Sequence, residues 1–81
     1  MKFRAMKVEG QDIPVEAVTA AAGMFLTCIR QNGQAEMSTM RSAFVSAGVD
    51  SETAYRAADR LLQNMRRNGL IAFSGGRWVA P

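Results

Sequence analysis

Arg66-Arg67-Asn68-Gly69-Leu70-Ile71-Ala72-Phe73-Ser74-Gly75-Gly76-Arg77-Trp78-Val79-Ala80 is the stretch that decides how the chain folds. Its first four residues end a long amphipathic pattern that begins at Ser51, and the chain turns at once into two short runs rich in apolar and aromatic residues. Gly75-Gly76 separates those runs, and a glycine pair can adopt the positive φ angles that a two-residue hairpin turn requires. The stretch therefore reads as a helix feeding directly into a tight β-hairpin.

Working back from it, Asp50 is a good N-cap for this third helix, which would be roughly 27 Å long if it reaches Asn68. Steps of 100° place Ala54, Ala57, Ala58, Leu61, Leu62 and Met65 on one side. The opposite side collects Glu52, Arg56, Asp59, Arg60, Gln63 and Arg67, with Tyr55 and Arg66 at the border. Gly48-Val49-Asp50 is a three-residue turn between two helices, with its glycine at a place suited to positive φ. Before the turn, Ser38 or Thr39 is expected to cap a second helix running through Met40, Ala43, Phe44 and Val45 to Ala47. Gln34 to Glu36 can supply a short strand.

A first helix is expected from about Pro14 to Gln31, ended by a left-handed cap at Asn32-Gly33. Ala17, Val18, Ala20, Ala21, Met24, Phe25, Leu26, Cys28 and Ile29 occupy nearly every direction around it, so it must be covered on most sides. Either residues 1–13 pack over it or a second subunit does; Ala17, Ala20, Ala21 and Gly23 would permit close helix approach. Residues 1–13 alternate weakly and read as an edge strand or an arm. Trp78 is expected to close the core against Leu70 or the third helix, its alternative role being an exposed anchor for a partner protein. Cys28 and the methionines read as core filler.

The 81 residues make one small domain with 48% apolar content, and no apolar run approaches the ~18 residues that span a bilayer. Glu9, Gln11 and Asp12 interrupt any secretory pattern after Lys2, Arg4 and Lys7, and Cys28 has no second cysteine to bridge, so a reducing, cytoplasmic location is expected, with no membrane partner. The charge is uneven. Residues 1–36 balance four basic against four acidic side chains, whereas residues 37–81 carry Arg41, Arg56, Arg60, Arg66, Arg67 and Arg77 against Asp50, Glu52 and Asp59. An all-arginine excess suits bidentate contacts to phosphate or guanine edges; its alternative is a set of solvated helix faces.

Histidine is absent, which removes Ser-His-Asp, Cys-His and His-ligated zinc arrangements together. The acids are scattered, and Gly75-Gly76 has neither a following helix nor a Lys-Ser/Thr pair. The expectation is no enzyme, no metal and no cofactor.

The order of elements, the Gly48-Val49-Asp50 turn, and Leu61-Leu62-Gln63-Asn64-Met65-Arg66-Arg67-Asn68-Gly69-Leu70-Ile71 before Gly75-Gly76-Arg77-Trp78 together resemble the winged helix-turn-helix domains of small bacterial and phage transcription regulators. The resemblance covers roughly residues 14–80, leaving residues 1–13 as an N-terminal arm or edge strand. It implies a mostly α domain of three helices with a C-terminal two-stranded wing. It also implies double-stranded DNA as partner, read by Ser51, Tyr55, Arg56 and Arg60 at the start of the third helix, with Arg77 of the wing on phosphate or minor groove. A homodimer through the first helix would present two such helices.

Two features pull the other way. Glu52 and Asp59 place negative charge on the face that would meet phosphates, and Glu52 stands four residues before Arg56, the favourable spacing for a surface ion pair. The competing expectation is a winged helix used for protein–protein interaction, such as an inhibitor or bridge of a larger complex.

Overall fold

Helix ends set the frame of this molecule, and the computed structural model describes all of residues 1–81. The chain runs β1 (Met6–Val8), β2 (Gln11–Ile13), α1 (Val15–Asn32), α2 (Met37–Ser46), α3 (Ser51–Arg67), β3 (Ala72–Ser74) and β4 (Arg77–Val79). Three helices and a C-terminal antiparallel hairpin make the mostly helical, winged-helix-like architecture expected, with a second hairpin added at the N-terminus.

α2 and α3 end in the same device. Gly48 and Gly69 take φ of +97° and +76°, and the next residue's amide donates back across the last turn, Val49 to the Phe44 carbonyl and Leu70 to that of Met65, each at 3.0 Å. A left-handed residue there satisfies carbonyls that the helix leaves open and swings an apolar side chain back over its last turn, which is why glycine follows each helix. Val49 and Leu70 are indeed packed on the core. Asp50 caps α3 as expected, its carboxylate accepting from the amides of Glu52 and Thr53.

Several boundaries differ from the sequence reading. α2 starts at Met37 with Glu36 as its N-cap and no side-chain cap bond, so neither Ser38 nor Thr39 caps it. The Ala35 amide and carbonyl are engaged with Trp78 at 2.8 and 2.9 Å, and that pairing fixes where the chain leaves extended geometry. The strand expected over Gln34–Glu36 is thus a single bridge, Ala35 to Trp78. Pro14 is the N-cap of α1 rather than its first residue, and Asn68 caps α3 rather than extending it.

The core unites all elements except β3. Phe25 of α1, Met40 and Phe44 of α2, and Leu61, Leu62 and Met65 of α3 are buried, as are Val8 and Ile13 of the N-terminal hairpin and Trp78 of the wing. Ala54, Ala57 and Ala58 are fully buried, small side chains on the helix that packs closely with α2. The first hairpin therefore contributes Val8 and Ile13 to the same core as α1, with β1 packed against α3. Ala17 and Ala21 belong to that core and are not available to a second subunit; of the four small residues only Ala20 and Gly23 are exposed. Met24 is 48% exposed and Met1 47%, so not every methionine is core filler, though Met40 and Met65 are. No helix is long and apolar enough to cross a membrane.

Candidate nucleic-acid interface

α3 owes its two-sided character to burial on one side only. Its apolar residues are buried while Ser51, Glu52, Tyr55, Arg56, Asp59, Arg60, Arg66 and Arg67 are exposed. Of the residues singled out by sequence, the fold brings Tyr55, Arg56 and Arg60 together with Asp59, Val8 and Glu9 around one open cleft of about 540 Å³ between α3 and the first hairpin. Tyr55 stands 55% exposed.

The arginines of this cleft have partners within the chain. Arg56 Nε lies 2.9 Å from Glu9 Oε1, an ion pair whose side chains are 70% and 53% exposed. Glu52 is therefore not its partner: the hairpin tip brings Glu9 to the same guanidinium. Arg60 donates from Nη1 to the Lys7 carbonyl at 2.7 Å. Ser51 is engaged elsewhere, its Oγ accepting from Arg41 Nη2 at 2.7 Å and its carbonyl from Arg41 Nε at 3.2 Å. Arg41 thus ties the middle of α2 to the first turn of α3.

Arg77 lies on the wing, outside that cleft. β3 and β4 pair with Ala72 opposite Val79, Phe73 opposite Trp78 and Ser74 opposite Arg77, and Gly75 and Gly76 take φ of +60° and +79°. Trp78 is buried at 5% exposure, and Phe73, 51% exposed, lies against it with ring centroids 4.8 Å apart. Arg66 and Arg77 make no ion pair or side-chain hydrogen bond, and Arg67 donates to Asn64 Oδ1 at 2.6 Å.

Sequence reasoning missed the contribution of Lys7 and Glu9. The signal was present in Val8-Glu9-Gly10-Gln11, a turn residue pair between alternating neighbours, but glutamate at its first place obscured it. No three acidic, cysteine or histidine side chains are grouped so as to hold a metal ion. Compared with protein-family models, curated proteins and solved structures, the chain matches none.

Proposed function

We propose that this chain is a small cytoplasmic DNA-binding protein of the winged helix-turn-helix kind, a transcriptional regulator that reads duplex DNA with α3 and the wing. The observation that carries the reading is the exposed side of α3, which bears Arg56, Arg60, Arg66 and Arg67, together with Arg77 on the wing; Arg66 and Arg77 have no partner within the molecule. Planar two-donor cations on one helix and an adjoining ribbon suit phosphates and guanine edges.

A homodimer is part of the proposal. Ala20, Gly23, Met24, Thr27, Cys28 and Gln31 form an uncharged strip along α1, and a two-fold axis there would present two α3 helices to a duplex, whose successive major grooves on one side lie about 34 Å apart.

A second reading, a module that docks on another protein, is favoured by Glu52 and Asp59 on the same side of α3 and by the exposed Tyr55 and Phe73. Fluorescence anisotropy on labelled mixed-sequence duplexes separates the two. The DNA reading expects binding, with Arg77→Ala weakening all sequences alike and Arg56→Ala flattening preferences between sites by ~1–3 kcal/mol at one base pair. Absence of binding at low salt favours the protein partner, whereas Arg56→Ala lowering Tm while DNA binding stays intact would make Arg56 only the ion-pair partner of Glu9.

A further inference from the structure

The first hairpin meets α3 through polar groups as well as through Val8. Its turn residues, Glu9 and Gly10, have φ of +50° and +78°, the pair of positive angles that a two-residue loop demands. Glycine, asparagine and aspartate are the residues at home in that region; glutamate is held there against its backbone preference. Its carboxylate reaches Arg56 on the surface of α3. One helical turn further on, Arg60 is fastened to the carbonyl of Lys7 in the same hairpin.

The Glu9 carboxylate approaches Arg56 at Nε, and no residue other than Glu9 pairs with that guanidinium. A mobile arginine loses rotamer freedom when it binds; a carboxylate on Nε fixes the guanidinium plane beforehand and lowers that cost. The terminal amino groups lie beyond Nε, and together they form a flat two-donor edge whose match in the major groove is the O6 and N7 acceptor pair of guanine. Resting on the DNA-binding reading above, we infer that Glu9 is a positioning residue that holds Arg56 to read a guanine, so that the first hairpin belongs to the interface. An ion pair as exposed as this one is too weak to withhold Arg56 from a phosphate, but sufficient to bias its orientation.

The test is selection from a pool of random-sequence duplexes with wild type, Glu9→Gln, Glu9→Asn and Arg56→Lys, followed by affinities for the selected duplex, its base-substituted forms and the unselected pool. Asparagine suits the turn, so Glu9→Asn removes the reach of the carboxylate without loosening the hairpin, and its Tm should equal or exceed that of wild type. Wild type should select one fixed guanine, preferred over other bases by about 5- to 150-fold. Arg56→Lys, which lacks the planar fork, should lose that preference, and Glu9→Gln and Glu9→Asn should reduce it by up to about 5-fold while binding the unselected pool as well as wild type or better, having lost a negative charge near the phosphates. A guanine preference undiminished in Glu9→Gln and Glu9→Asn overturns the inference, and so does tighter binding with the preference undiminished, which would make Glu9 a block. If wild type binds but selects no guanine, the positioning role falls alone. Failure of wild type to bind any duplex removes the DNA reading and this role together.

Discussion

Trp78 joins three parts of the molecule through one side chain and one peptide unit. Its ring packs on Phe73 across the wing and sits almost wholly out of water, while its amide and carbonyl exchange hydrogen bonds with Ala35 between α1 and α2. Truncating so large a buried ring removes its transfer energy and leaves a cavity. Trp78→Ala should therefore cost about 3–5 kcal/mol, a large share of the 5–15 kcal/mol typical of a folded domain. Urea unfolding followed by circular dichroism checks this; a midpoint near that of wild type would mean that the wing contributes little to the core. The burial of Trp78 was legible because a large aromatic on a short ribbon has few other places to go. The partner of Arg56 was not. Local spacing pointed to Glu52, and only the folding back of the N-terminal hairpin puts Glu9 there.

At the scale of elements, legibility followed the strength of local chemistry. α3 and the wing were readable because a cap, a two-sided pattern, a stopping glycine and a glycine pair agree with one another. The start of α2 was misread because Ser38 and Thr39 carry cap chemistry while the actual limit comes from a tertiary pairing at Ala35. The first hairpin was hidden by strands of only three residues, too short to show alternation. α1 offers a clean element-scale test. Gly23 lies in its interior on the exposed side, and a Cβ added there meets nothing within 4 Å. In a free chain Gly23→Ala should raise stability by about 0.5–1 kcal/mol through reduced backbone freedom, seen as a higher Tm. A lowered Tm at high protein concentration, relieved by dilution, would instead show the new methyl meeting a partner helix.

For the whole molecule, the question is what the uncharged strip of α1 and the arginine-bearing side of α3 are for. Ala21 is fully buried, so a charge there would simply unfold the chain, whereas Ala20 is exposed and reports on association alone. If the strip joins two copies, light scattering at tens of micromolar should give a dimer mass for wild type and a monomer mass for Ala20→Glu with an unchanged helical spectrum. A wild-type monomer would sink the dimer and leave the DNA reading to stand on one copy. The central claim, that α3 and the wing bind duplex DNA, is tested most directly by affinity measured against salt. Each phosphate neutralised contributes about 0.9 to the slope of log K on log salt, so Arg60, Arg66, Arg67 and Arg77 acting on phosphates would give about −3.6 per chain. A steep loss of affinity between about 50 and 200 mM salt is the expected result; equal affinity at both, or no binding at the lower one, would contradict it.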